Sequence, residues 1–167
     1  GIDDALDPDA EHITTDRREY GIGYRGIFSE KNILELNLIT TDHERDATNG
    51  ERPFNSKEDI FLLDAIYTLH IKNNAITAGI NYRDESLDQR INWEDSPTAT
   101  SESLGTFIQD DIHLLKSLDL ILGLRYDHVK STLSKDSAFS PRFAIKWSIN
   151  SNINLRGSVG AGFKVPY

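Results

Sequence analysis

The stretch LDLILGLRYD, residues 118–127, sets two chemistries on alternate residues. Leu118, Leu120, Leu122, Leu124 and Tyr126 form one set, and Asp119, Ile121, Gly123, Arg125 and Asp127 the other. A β-strand turns successive side chains to opposite faces, so this pattern predicts a strand with one apolar face and one polar face. The stretch after it behaves the same way. In 140–149, Pro141, Phe143, Ile145, Trp147 and Ile149 oppose Ser140, Arg142, Ala144, Lys146 and Ser148. In 153–164, Ile153, Leu155, Gly157, Val159, Ala161 and Phe163 oppose Asn154, Arg156, Ser158, Gly160, Gly162 and Lys164.

Working back towards the start, the alternation recurs. Tyr20, Ile22, Tyr24 and Phe28 share a face, with Gly21, Gly23 and Arg25 behind them. Leu34, Leu36 and Leu38 oppose Glu35 and Asn37, and Phe61, Leu63, Ala65, Tyr67, Leu69 and Ile71 oppose Asp64, Thr68 and His70. Ile76, Ala78, Ile80 and Tyr82 oppose Thr77, Gly79, Asn81 and Arg83. Short polar turns are expected near Ser29–Asn32, Lys72–Asn74, Leu115–Leu118 and Ile149–Asn152, at hairpin spacing. Longer polar stretches, 41–57, 84–102 and 128–138, read as loops at the opposite ends of the strands. The prediction is an all-β, antiparallel up-and-down meander of about eight strands starting at residue 17, with 1–16 as a loop.

LGTFIQDDIHLLKSL, residues 104–118, fits a helix as well as a strand, because Leu104, Phe107, Ile108, Asp111, Ile112 and Leu115 fall at helical spacing. The hairpin order selects the strand, since 118–127 needs an antiparallel partner before it. Which residues of 104–115 face which way is left open by the pattern.

The 167 residues carry a net charge of −9, 38% apolar residues, no Cys and no Met. The missing Met favours a piece of a longer chain. A basic nucleic-acid footprint is absent, disulfides and thiolate metal sites are excluded, and no apolar run reaches the roughly 18 residues of a transmembrane helix. A polar average is compatible with a membrane barrel, where only every second residue meets lipid. Strand segments longer than the usual roughly 5–6 residues, and aromatics near the ends of the apolar face, favour a barrel over a β-sandwich. Periodicity alone leaves both open.

Four elements in the last third sharpen the choice: FIQDDI at Phe107–Ile112, GLRYD at Gly123–Asp127, SPR at Ser140–Arg142 and GFKVP at Gly162–Pro166. In this order and spacing they resemble the barrel of TonB-dependent outer-membrane receptors. Lys164 and Val165 stand where that family's last box has Arg and Ala. The motif resemblance covers residues 107–166, while the first hundred residues resemble the family in architecture only.

The resemblance implies a transmembrane barrel of about 22 strands with a plugged lumen in a Gram-negative outer membrane. Such a barrel imports a scarce nutrient complex (ferric siderophore, haem or cobalamin) with energy delivered through TonB. It implies outer-membrane lipid, the receptor's own plug domain, TonB and a nutrient chelate as partners. No nucleic acid, cofactor or enzymatic activity is implied. The family's plug and TonB-contacting segment precede the barrel, and nothing in these residues resembles them. The alternatives are a porin or adhesin segment, a soluble β-sandwich binding module, and a β-rich domain of an enzyme.

Within that picture the lumen-facing cations Arg83, Arg125, Arg142 and Lys164 are the candidate ligand contacts for an anionic chelate. The competing role is structural, with the same cations paired to Asp64, Asp119, Asp127 or plug carboxylates. Asp3, Asp4, Asp7, Asp9 and Glu11 lack the Gly turn and terminal Glu of a calcium loop and read as a solvated extracellular loop. The five His residues show no paired ligand spacing. Gly160-Ala161-Gly162 precedes no helix pattern, so it is not a dinucleotide turn, and no nucleophile-elbow context appears.

Overall fold

The structure is a computed structural model that describes residues 11–49, 52–91 and 94–162. Their elements are β1 (Glu11–Ser29), β2 (Asn32–Asn49), β3 (Arg52–Ile71), β4 (Asn74–Ile91), β5 (Glu94–Asp95), β6 (Ala99–Leu115), β7 (Leu118–Ser131), β8 (Lys135–Asn150) and β9 (Ile153–Gly160). Eight long strands pair with their sequence neighbours in the order β1-β2-β3-β4-β6-β7-β8-β9, and the two-residue β5 pairs β4. Every pairing is antiparallel. This is the expected meander.

The register joins the apolar sets of successive strands. One row runs Leu38, Leu63, Tyr82, Leu104, and another runs Ala78, Ile108, Leu124, Pro141. A one-residue slip would carry every side chain to the other face, so this continuity fixes the register. No second layer of the described chain covers the apolar face. Val129 is the one buried hydrophobic residue among those described, while Leu122, Leu124, Leu155 and Val159 are 46%, 47%, 52% and 69% exposed. A sandwich buries that face under a second sheet, so the sandwich alternative fails.

The short turns tie the sheet together at one end. Lys72 adopts a positive φ of 53° in the two-residue turn between Ile71 and Asn74, a conformation that suits hairpin twist. Turn carbonyls bind the next strand: His70 donates to Lys31 O, His113 to Asn73 O and Ser148 to Ser117 O, each at 2.8 Å. The register shifts at Ile27/Ser29, His113/Leu115 and Ser148/Asn150, all beside these turns. Phe28 and Ile149 fall within the shifts rather than continuing the apolar rows.

The structure corrects the loop assignments at the other end. Most of 41–57, 84–102 and 128–138 is strand, and 11–16 pairs with 44–49 in β1 and β2; residues 1–10 lie outside the described part. The cause is the loss of chemical contrast. Past Phe61 both faces carry polar side chains, so the period-two signal disappears while the backbone ladder continues. The Lys57 ammonium illustrates this stretch, lying 3.4 Å from Asp42, 3.9 Å from Asp59 and 4.0 Å from Glu44. The charges of Asp59 and Asp42 lead in holding its pKa above the ordinary lysine value.

Residues 104–115 are strand, with Leu104, Thr106, Ile108, Asp110 and Ile112 on the apolar face. The helical impression came from Phe107, which points to the polar face and lies over Gly79, where a Cβ would come within 2.6 Å of its ring. Asp110 is the converse exception: it sits among apolar neighbours and accepts a 2.7 Å hydrogen bond from Asn74 Nδ2.

Candidate functional site: the polar face

Three of the four sequence-nominated cations are described, and all three lie on the polar face. Lys164 lies outside the described residues. Arg83 is engaged by Glu85 two residues along its own strand, with Nε at 2.9 Å and Nη2 at 2.6 Å from one carboxylate oxygen. Glu85 is the more sheltered partner, at 18% side-chain exposure.

Arg125 is the centre of a network that spans four neighbouring strands. Its Nε donates to both oxygens of Asp127, at 2.8 and 2.9 Å, and its Nη1 donates to Asn81 Oδ1 at 2.7 Å. Asn81 in turn donates to Asp64 Oδ1 at 2.6 Å. The chain thus runs from β7 to β4 and β3, passing over β6. Gly105 makes that passage possible, because a Cβ there would collide with Arg125 Nη2 and lie 2.8 Å from Asp127 Oδ1. Charge-assisted hydrogen bonds of this kind are stronger than neutral ones and favour Arg's planar fork. Arg125 is therefore built into the wall, and a ligand reaching it would have to displace these partners.

Arg142 differs. It makes no hydrogen bond or ion pair with another described residue, and its cross-strand neighbours are Gly123 on β7 and Gly160 on β9. A side chain flanked on both sides by glycine has room to meet something outside the sheet. Arg142 lies seven residues beyond the start of β8, level with Leu122, Leu124 and Phe143 of the apolar face and away from the long-loop end.

Several polar-face pairs escaped sequence reading, because they depend on cross-strand register. Asp119 pairs with His113 at 2.7 Å and with Lys146 at 3.1 Å, and Arg25 with Glu35 at 3.1 Å. Near the long-loop end the guanidinium of Arg45 lies 6.0 Å from the centroid of the Phe54 ring, in a segment expected to be loop. Among the described residues no group of three or more His, Asp or Glu side chains converges to hold a metal ion.

An apolar face with no covering layer, backed by a face of ion-paired and hydrogen-bonded side chains, defines a segment of a β-barrel wall. Residues 2–167 match the family described as TonB dependent receptor-like, beta-barrel, and the chain belongs to that family. A search of curated proteins finds no match. Among solved structures the chain is similar to the siderophore receptor PirA from Pseudomonas aeruginosa, at TM-score 0.78 and 19% identity, covering 94% of this chain and 28% of that one. It is similar to BauA, the ferric preacinetobactin receptor from Acinetobacter baumannii, at 0.74 and 14%, covering 89% and 30%. The ferric citrate transporter FecA in unliganded form follows at 0.65 and 15%, covering 89% and 27%. The chain thus spans about a third or less of these relatives' length.

Proposed function

We propose that this chain is a wall segment of an outer-membrane active transporter that imports a ferric chelate, with its apolar face towards lipid and its polar face towards the lumen. The observation that carries the reading is the uncovered apolar belt. On β3 it runs from Phe61 to Ile71, about 33 Å along the strand at roughly 3.3 Å per residue. At a tilt of about 40° that is about 25 Å of height, the band of an outer-membrane barrel. Aromatics stand on this face towards both ends of the belt, with Tyr20 and Phe61 in one upper row and Tyr67 and Trp147 towards the short-turn end, as interfacial girdles require. The long-strand ends then stand outside the membrane as a raised wall.

The relatives named above are receptors or transporters whose names specify a siderophore, ferric preacinetobactin or ferric citrate. That supports a ferric chelate over haem or cobalamin. The barrel's own plug and TonB supply closure and energy in this reading. Arg142, the unpaired lumen cation, is the favoured contact for an anion, either the chelate or a plug carboxylate, with Lys164 as the companion from the same motif region. Arg83 and Arg125 brace the wall.

The test uses the full-length receptor in iron-starved cells, following uptake of radioiron as ferric citrate and as siderophore complexes. Deleting the receptor should abolish energy-dependent uptake of at least one chelate, and Arg142→Ala should lower it about tenfold, with Arg83→Ala near wild type. Uptake that survives collapse of the proton-motive force would replace the reading with a passive porin. Equal losses for Arg83→Ala and Arg142→Ala would remove the special role of Arg142.

A further inference from the structure

The β7–β8 hairpin ends in an arrangement that wall-building does not explain. Lys130 and Lys135 are directly opposite in register, the last pair before the tip. Both lie on the apolar side of the sheet, in line with the Tyr126–Phe139 pair, whose ring centroids are 4.8 Å apart. Between the two rows stand His128 and Ser137, joined by a 2.7 Å hydrogen bond. Like charges directly opposite one another destabilise an antiparallel pair. Lysines often guard exposed sheet edges against aggregation, but Lys130 stands on an interior strand, opposite Glu102 of β6 on one side and Lys135 of β8 on the other; among the described residues β8 meets β9 only from Arg142 onward.

Neither lysine finds relief among the described residues. Neither makes an ion pair or hydrogen bond with another described residue. The carboxylate beside Lys130 in register, Glu102, instead accepts a hydrogen bond from Tyr82 OH at 3.2 Å. Position adds the second indication. Lys130 lies in the register row of Glu102, Asp84 and Phe61, the row at the upper margin of the apolar belt. The polar headgroup layer begins at that margin. The tip is also low, because β7 stops at Ser131, whereas β2 continues nine residues past Thr40 to Asn49. Leu133, at the tip, is 83% exposed, and a lone apolar side chain beside lysines suits a membrane surface better than bulk water.

We propose that Lys130 and Lys135 form a clamp for the phosphate of an anionic outer-leaflet lipid headgroup, holding the β7–β8 hairpin on the membrane surface. The anion sits between the two ammonium groups and turns their mutual repulsion into shared attraction. The proposal rests on the membrane orientation given above, and the test separates the two.

Whole cells carrying the full-length receptor with Leu133→Cys should react with a membrane-impermeant maleimide. Absence of labelling overturns the orientation and the clamp together. The purified receptor in non-ionic detergent is then titrated by native mass spectrometry with a diphosphorylated acyl glucosamine disaccharide and with its dephosphorylated form. Lys130→Ser with Lys135→Ser should weaken the phosphorylated lipid about 30-fold, while the Arg pair retains binding. The dephosphorylated lipid should bind wild type as weakly as the phosphorylated lipid binds the serine variant. Unchanged affinity in the serine variant, or displacement of the lipid by equimolar inorganic phosphate, overturns the clamp and leaves the wall reading standing.

Discussion

Replacing Gly105 by Ala tests whether Arg125 braces the wall across β6. The added Cβ would meet Arg125 Nη2, and would stand 2.8 Å from both Arg125 Cζ and Asp127 Oδ1. Backbone ladders on both sides hold Gly105 in place, so the guanidinium must move. Moving it breaks the 2.7 Å bond to Asn81 and leaves Asn81 with Asp64 alone. A hydrogen bond to a charged group contributes about 1.5–3 kcal/mol. Arg125 is 40% exposed, so water recovers part of that loss, and the expected cost is about 1–1.5 kcal/mol. In an Arg125→Met background the sign should reverse. There the alanine meets no guanidinium, and relief of glycine's backbone entropy should stabilise by about 0.5 kcal/mol. The assay is urea unfolding of the full-length receptor followed by tryptophan fluorescence for the four members of the cycle, whose coupling should be about 1.5–2 kcal/mol. Equal effects of Gly105→Ala in both backgrounds would show that the network adds nothing, and that the glycine serves another purpose.

Two further substitutions probe the faces and the turns. Leu122→Arg, in the middle of the apolar belt, should destabilise the folded barrel by about 2–4 kcal/mol, whereas Ile121→Arg on the other face should cost about 1 kcal/mol or less; heat-modifiable gel mobility and unfolding midpoints check both, and an inverted order would refute the assignment of faces. Lys72→Gly, at the φ of 53°, should raise stability by about 0.5–1 kcal/mol, because glycine adopts that conformation without steric cost, and Lys72→Pro should lower it; thermal unfolding distinguishes the two.

The parts of the fold legible in the sequence are those where the two faces of a strand meet different solvents. Leu118–Tyr126 alternates because one side is apolar and the other polar, and so do Phe61–Ile71 and Ile76–Tyr82. Beyond Phe61 the contrast ends, and the paired strands 41–49 and 52–57 looked like loop although each residue has a cross-strand partner. At 104–115 the contrast was blurred by two residues facing against type, Phe107 over Gly79 and Asp110 beside Asn74. The site was legible in kind but not in grouping. Parity placed Arg83, Arg125 and Arg142 together on the polar face. Distinguishing the paired from the unpaired required knowing that Gly105 opens a path from Arg125 to Asn81, and that Gly123 and Gly160 flank Arg142. Those relations depend on register between positions 18 to 44 residues apart in the chain.

The glycines and the arginines of the polar face are two halves of one design constraint. A single-layer wall has no packed interior to resist shear: among the described residues the buried positions are few, and Val129 is the one hydrophobic side chain. Backbone ladders fix neighbouring strands to one another but add nothing between strands two apart. The Arg125–Asn81 bond joins β7 to β4 across β6, and the Phe107 ring of β6 lies over Gly79 of β4. The first is a contact between second neighbours and needs Gly105 between them; the second joins adjacent strands and needs Gly79 to make room for the ring. A strand glycine normally weakens a sheet. Here its absence of bulk is what lets a longer side chain span two ladders, so the local loss in β propensity is offset by a brace that no nearest-neighbour contact can supply. The cations of the polar face divide accordingly: Arg125, lying over the Gly105 gap, is committed to the wall, Arg83 is held by Glu85 on its own strand, and Arg142, flanked by Gly123 and Gly160, has no partner among the described residues.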